Sequence, residues 1–274
     1  FPKVGSGAGD IMAAMVSHEE YEAPYGGFIP AYYALAATRY LHETGASVED
    51  LARVAVSHRR WARLHPHALM HDGPELTVQD VRAARPIASP FGLLDCSIPT
   101  EGGGAFVVAS RDVARKMSPR PAWVLGTGEY HGFGCISQAP DLLDLGAQES
   151  GQQAYAEAGL APSDIDVAEI YDSFTINPLL FAEDLGFAAR GEASRLYRER
   201  RTDPGGDLPI NTYGGLLSYG HTGDASGLSM LVEGALQVMG RAGGRQVEHA
   251  HRVLVHTYGG MTVEHATVIL GAQP

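Results

Sequence analysis

The stretch over 211–227, NTYGGLLSYGHTGDASG, limits what this chain can become more than any other. Gly214, Gly215, Gly220, Gly223 and Gly227 let backbone approach backbone or ligand where a Cβ would clash. The spacing predicts a Gly-rich turn, a short apolar strand over 216–219, His221 just after a glycine, and a second turn that opens an apolar helix at Ser226. His221 is the one side chain here whose proton moves near neutral pH. The N–H groups at a helix start favour a carbonyl oxygen or an oxyanion. Together these features polarise a carbonyl. A histidine that only closes a tight turn is the alternative, because a Gly-His pair alone is a weak motif.

The rest of the chain supplies an α/β frame. Residues 1–27 carry Gly, Ser and Pro punctuation and read as a long surface excursion with one short helix over 12–16. An Ala- and Tyr-rich helix over 29–44 should stop at Gly45. Ser47 should cap the next helix, and Thr77 a shorter one that ends at Pro86. Strands are expected over 93–98 and 105–110, joined by the turn PTEGGG, and again from 122 to 126. A helix over 148–159 precedes a buried strand over 166–171, which runs out in YDSF. A helix over 177–185 should stop at Gly186, and 187–209 reads as an exposed loop or short helix. A closing pair of strands lies near 252–256 and 262–270. The segments 93–110 and 253–270 echo one another as strand, Gly-rich turn and strand, which points to a duplicated α/β unit.

Composition narrows the function classes. A length of 274 residues with 45% hydrophobic side chains allows one large or two modest soluble domains. The formal charge of -12 argues against a nucleic-acid partner. The two cysteines, Cys96 and Cys135, do not make a disulfide framework and fit a reducing, cytoplasmic setting. No apolar run of about eighteen residues and no signal segment is present, so membrane insertion is not expected. The chain starts at Phe1 inside a loop-like stretch. If the second unit spans roughly 122–274, a similar first unit needs about 80–110 further N-terminal residues.

Several groups can carry chemistry. Tyr171, Asp172 and Ser173 stand where a buried strand ends, the usual place for functional side chains in α/β sheets. Tyr171 can donate or act as an acid, Asp172 can orient a partner, and Ser173 can donate or attack. A tyrosine packed on the sheet and an Asp-Ser pair capping the helix is the competing reading. Tyr258, in HTYGG, ends the last hairpin and can converge with Tyr171 and His221 on one pocket, or simply plug the turn. Asn211 can orient a carbonyl or serve the turn. His65, His67 and His71 have no Cys or carboxylate completing a zinc set, so no metal is expected. His249 and His251 read as solvated. Arg195, Arg198, Arg200 and Arg201 can meet a phosphate or form a solvated face.

Assembled, the segments RPIASPFGLLDCSIPTEGGGAFVVAS, IDVAEIYDSFTINPLLFAEDLGF, LPINTYGGLLSYGHTGDASG and VLVHTYGGMTVEHATVIL resemble the thiolase superfamily over nearly the whole chain. The likeness is greatest to its sterol-carrier-protein-associated, lipid-transfer-protein branch. The resemblance implies an α/β thiolase fold of duplicated βαβαβαββ halves in five layers, the first half truncated at its N-terminus. Residues 1–120 would be the remainder of the N-terminal half and 121–274 the C-terminal half. It also implies a homodimer acting on coenzyme A thioesters, with no permanently bound cofactor and coenzyme A entering as part of the substrate. The family's nucleophilic cysteine would lie before residue 1.

Two departures shape the functional expectation. This branch typically carries HDCF where the chain has YDSF, so Tyr171 and Ser173 replace the histidine and the acid/base cysteine. A serine hydroxyl is a poor proton shuttle for Claisen chemistry. Family members often show Asn-Gly-Gly where the chain has Tyr258, Gly259 and Gly260, and Thr222 replaces the proline after His221. This pattern looks like the lipid-transfer-protein aldolases, which cleave β-hydroxyacyl-CoA side chains of steroids by a retro-aldol step. The implied catalytic set is His221, Tyr258, Tyr171, Ser173 and Asp172. Gly220, Gly223, Ser226, Gly259 and Gly260 would lie against the acyl-CoA. An acetyl-CoA C-acyltransferase and a non-catalytic acyl-CoA-binding scaffold are the alternatives. The aldolases also imply an OB-fold, zinc-ribbon acyl-CoA-binding partner.

Overall fold

The computed structural model describes residues 13, 15–26 and 28–274. Of the helix expected over 12–16, Ala13, Met15 and Val16 are helical, and the remainder of that segment lies outside the described residues. Helix α1 (Ile29–Thr44) has Pro30 in its first turn and ends at Gly45 with φ 71°. Helix α2 (Val48–Ala62) starts at Ser47, whose N–H donates to the Asp50 carboxylate at 2.8 Å. Helix α3 (Val78–Ala83) repeats the device: the Thr77 hydroxyl accepts from Asp80 N–H at 3.2 Å, and Thr77 N–H donates back to Asp80. A two-stranded ribbon, β1 (Pro86–Ala88) and β2 (Phe91–Gly92), and the short helix α4 (Arg111–Met117) lead to the sheet.

That sheet has four strands: β3 (Trp123–His131), β4 (Val167–Ile170), β5 (Arg252–Gly259) and β6 (Glu264–Gly271). Their order is β3-β6-β5-β4, with β4 parallel to β5 and the other pairs antiparallel. Ile210 adds a parallel bridge to Ala168 beyond β4. Between the strands run α5 (Ala147–Ala158), α6 (Asn177–Asp184), α7 (Ala193–Arg198), α8 (Gly215–Ser218) and α9 (Ser226–Met239). Counting Ile210 as a vestigial strand, the sequence from 123 onward is the βαβαβαββ unit expected of one thiolase half. Helix α5 packs closely because β3 offers glycines: a Cβ on Gly126 would stand 2.2 Å from Ala154 O, and one on Gly128 2.0 Å from Ser150 O. On the opposite face α9 lays Gly234 against Val253 and Val255.

Four expectations are corrected. Residues 93–98 are not a strand; Asp95 accepts from Gly92 N–H at 2.8 Å and closes a 3-10 turn over Leu93–Asp95. Residues 105–110 are not a strand either, because among the described residues no neighbouring strand takes their N–H and C=O groups. Phe106, Val107 and Val108 are accordingly 51%, 87% and 81% exposed. The echo between 93–110 and 253–270 therefore does not extend to structure; only the second segment is a hairpin. The segment 216–219 is helical rather than extended, for a reason given by Asp172 below. Lastly, 187–209 is not wholly exposed: Leu196, Tyr197, Thr202 and Asp203 are buried, and Trp61 Nε1 donates to Thr202 O at 2.8 Å.

Candidate active site

Strand β4 is buried along its length, and at its end the edge away from β5 is paired by Asn211 rather than by another strand. With φ at 55°, Asn211 turns its side chain onto Ile170, accepting from its N–H and donating to its C=O, both at 2.7 Å. The side-chain amide thus does the work of a strand partner. Tyr171 N–H donates to His256 O at 3.0 Å, which places YDSF directly beyond the sheet. Asp95 fastens the far side: Thr175 donates to it through both its N–H and its hydroxyl.

The four residues of YDSF then diverge. The Tyr171 hydroxyl meets His221 Nε2 at 2.9 Å, with the two rings edge to face. Its ring centroid is 4.6 Å from that of Tyr258. Ser173 Oγ shares a short hydrogen bond with the Tyr258 hydroxyl and lies 3.3 Å from Asn177 Oδ1. Tyr171, Ser173, His221 and Tyr258 therefore lie together. Burial pushes the Tyr258 hydroxyl well above its usual pKa, and the neighbouring Tyr33 and Tyr171 act in the same direction.

Asp172 does not join them. It is fully buried and accepts from Leu216 N–H at 2.7 Å and Leu217 N–H at 3.3 Å, with His58 Nδ1 at 2.7 Å. A carboxylate on those N–H groups nucleates the single turn α8, which is why 216–219 is not a strand. Gly215 permits the contact; at φ 64°, a Cβ there would fall 2.1 Å from Asp172 Oδ2. Asp172 braces the loop that carries His221.

His221 itself is held by a segment the sequence reading did not place at the site. His221 N–H donates to Ile98 O at 2.7 Å, and Thr100 N–H donates to His221 O at 2.8 Å. Ser97 N–H reaches Ser173 O at 2.9 Å, so 97–100 ties the two halves of the cluster together. Gly220 abuts Thr100, and Ser226 Oγ accepts from Thr222 N–H at 2.9 Å at the start of α9. Gly223 has open space where a Cβ would lie, whereas Gly259 and Gly260 face Glu264 and Val263.

Tyr33 was also missed. It projects from α1, stacks on Phe174 at 4.5 Å, and its ring centroid lies 6.1 Å from that of Tyr258. Nothing in the sequence separates it from Tyr32, one residue earlier, whose hydroxyl instead meets Ser17 Oγ at 2.6 Å. The arginines of 195–201 are engaged by carboxylates: Arg195 with Glu199, Arg198 with Asp50, Arg200 with Asp203 and Arg201 with Asp207. Among the described residues no group of three or more His, Cys, Asp or Glu side chains is disposed to hold a metal. No helix among them is long and apolar enough to cross a membrane.

Comparison with known proteins places this geometry. Residues 128–272 match the family described as Thiolase C-terminal domain-like. The chain is 35% identical over 248 residues to an acetyl-CoA acetyltransferase of Methanothermobacter thermautotrophicus, covering 90% of this chain and 64% of that protein. It is 38% identical over 217 residues to a steroid side-chain-cleaving aldolase of Thermomonospora curvata, covering 76% of this chain and 55% of the relative. The chain thus spans a little over half to under two thirds of the length of these curated relatives. Among solved structures, an Ltp2-ChsH2(DUF35) aldolase superposes with a TM-score of 0.84 at 35% identity, covering 96% of this chain and 68% of that one. A family match over more than half the chain, with relatives running along most of it, makes this protein a member of the thiolase superfamily, in its sterol-carrier-protein-associated, lipid-transfer-protein branch.

Proposed function

We propose that the chain belongs to a thiolase-fold carbon–carbon lyase that cleaves a β-hydroxyacyl-CoA by a retro-aldol step. The observation that carries this reading is the convergence of Tyr171, His221, Ser173 and Tyr258 with no thiol among them. Cys96, whose backbone bridges to Phe174, has its thiol pushed up to about 12 by burial, a poor acid/base for Claisen chemistry at neutral pH. One tyrosine takes the β-hydroxyl proton, and the Cα–Cβ electron pair moves onto the thioester to give an enolate and a ketone or aldehyde. His221, with N–H groups near the start of α9, holds the enolate oxygen. The second tyrosine protonates Cα, and a proton then passes between the two tyrosines to reset the site.

The printed names of the relatives support both lyase and acyltransferase chemistry, so the test must separate them. Full-length protein is expected to convert a β-hydroxyacyl-CoA into a carbonyl compound and a shorter acyl-CoA, with little thiolysis of the matching 3-oxoacyl-CoA. Tyr171→Phe should slow cleavage by roughly 10²–10⁴. Efficient thiolysis, with cleavage indifferent to Tyr171→Phe, would favour the acyltransferase. Acyl-CoA binding without either reaction would favour the scaffold. Division of the chain at 120/121, a homodimer, a cytoplasmic setting and an OB-fold, zinc-ribbon partner belong to the same proposal. The two-component name of the solved aldolase supports the partner.

A further inference from the structure

Consecutive residues near the end of α2 reach two different parts of the protein. Ser57, Arg60 and Trp61 fasten the helix to the segment after α7. Ser57 Oγ lies 3.0 Å from Thr202 Oγ1, Trp61 Nε1 donates to Thr202 O at 2.8 Å, and Arg60 pairs with Asp203. His58 and Arg59 reach instead toward the loop that carries His221. His58 Nδ1 meets Asp172 Oδ2 at 2.7 Å, and Arg59 Nε donates to Ser218 Oγ at 3.2 Å. At the end of the helix Ala62 sits against Gly214, where a Cβ would fall 2.6 Å from the Ala62 Cβ.

Both of those contacts end on α8. Asp172 accepts from Leu216 N–H through Oδ1 and from Leu217 N–H through Oδ2, and Ser218 closes the same turn. His221 follows three residues later. Asp172 also stands between Tyr171 and Ser173 in the chain, so one anchored carboxylate fixes YDSF and the His221 loop to each other. A carboxylate serving two N–H groups only accepts, which makes His58 Nδ1 the donor. His58 is wholly buried, and its Nε2 has no hydrogen-bond partner among the described residues. Its side-chain hydrogen bonding among those residues is therefore directed at Asp172. The helix is fastened at 202–203 by Ser57, Arg60 and Trp61, without His58.

We infer that His58 is a positioning residue for His221: acting through Asp172 and α8, it sets where the imidazole stands relative to Tyr171. This role rests on the reading of His221 as the holder of the enolate oxygen and deepens it. Tyr171 and His221 meet at 2.9 Å, and in that reading both address one substrate, so their relative placement governs the rate. Without the His58 donor, the Asp172 carboxylate turns from the Leu216 and Leu217 N–H groups, and α8 shifts with the loop behind it. A displacement on the order of 1 Å can cost roughly 10²-fold in rate, because the reacting groups leave their productive geometry.

The test pairs kinetics with nuclear magnetic resonance on the full-length protein. His58→Leu fills the site with an apolar side chain and removes the donor. Per folded molecule, kcat for β-hydroxyacyl-CoA cleavage should fall roughly 10–10²-fold, with KM little changed. His58→Asn places an amide N–H near the Nδ1 position and should recover most of the lost rate. Without substrate, the imidazole resonance of His221, identified by its loss in His221→Ala, should shift in His58→Leu and return toward the parent in His58→Asn. Should His58→Leu not fold, His58→Gln, whose amide reaches past the Nδ1 position, takes its place with the same two readouts. An undiminished kcat per folded molecule, or an unshifted His221 resonance, would overturn the inference and leave His58 a packing residue. Were the parent protein to show no cleavage, the lyase reading would fail, and the His221 resonance would still decide whether His58 positions that ring.

Discussion

Two buried polar clusters flank the end of β4, and they handle protons in opposite ways. One is the set of Tyr33, Tyr171, Ser173, Tyr258 and His221, built from hydroxyls and an imidazole. The other joins Glu169 on β4 to Thr212, Glu233, Gln237 and Arg245. There Arg245 forms a two-point ion pair with Glu233, through Nε at 2.9 Å and Nη2 at 2.7 Å. Thr212 Oγ1 lies 2.6 Å from Glu169, 2.8 Å from Glu233 and 3.0 Å from the Gln237 amide that donates to it. A hydroxyl has one proton, so it can donate to only one of the two carboxyls; the other must bring its own. Glu169 is that acid. Burial, and then the Glu233 charge, push its pKa well up, and its Oε2 has no hydrogen-bond partner among the described residues, as suits a carbonyl oxygen rather than an anion. Every proton in the carboxylate cluster is thus assigned, whereas several arrangements of protons satisfy the hydroxyl cluster. Fixed protons hold the sheet to α9; exchangeable ones suit chemistry.

The largest effect expected from this contrast is on rate alone. Tyr258→Phe should reduce kcat for cleavage by roughly 10²–10⁴ while stability moves by only about 1 kcal/mol, the usual worth of one hydrogen bond. Steady-state kinetics beside denaturant unfolding would check it, and a loss of stability with kcat intact would break the contrast. Arg245→Ala should do the reverse. It strands the Glu233 carboxylate in the interior and should cost about 3–5 kcal/mol, with kcat per folded molecule unchanged.

Acid supplies the third test, through the histidines behind Tyr258. Thr262 O can only accept, so His265 Nε2 carries a hydrogen and its Nδ1 accepts from His256 Nε2; His256 Nδ1 then takes the Thr267 hydroxyl. Burial lowers both pKa values, His265 to about 4. The unfolded chain therefore binds protons first. Stability is undiminished above the unfolded value near 6.5 and falls as pH drops from there toward 4, by about 3 kcal/mol for His265. Unfolding midpoints that stay level between pH 7 and 5 would contradict this. The smallest effect should come from Glu169→Gln, a near-isosteric swap of a neutral acid, at less than about 1 kcal/mol. Because the folded pKa of Glu169 is raised, its stabilisation is complete below the unfolded value near 4.3 and is lost as pH rises. The Gln variant should therefore gain on the parent toward alkaline pH.

Much of this was legible in the residues because it is local. The stop at Gly45, the helix starts at Ser47 and Thr77 and the stop at Gly186 each involve groups within a turn of one another. The strand that ends in YDSF was likewise readable from its apolar run. The convergence of Tyr171, His221 and Tyr258 followed from placing each at the end of an element in one α/β sheet. Asp172 was misjudged for the opposite reason. Beside a tyrosine and a serine it looks like a member of their set, but its partners are the N–H groups of α8 and His58, 114 residues away.

What the sequence by itself determined is the order of the longer helices and strands, most of their boundaries and the family, since caps, turn glycines and apolar periods act over a few residues. Tertiary structure alone decided which apolar stretches became strands: 105–110 has strand composition but no strand neighbour among the described residues, and 216–219 was drawn into a helical turn by a carboxylate from beyond β4. It also chose Tyr33 over Tyr32 for the site and joined Ser173 to Tyr258 across 85 residues. Strand pairing and buried hydroxyl contacts depend on groups brought together from distant positions, and no local pattern encodes the partner.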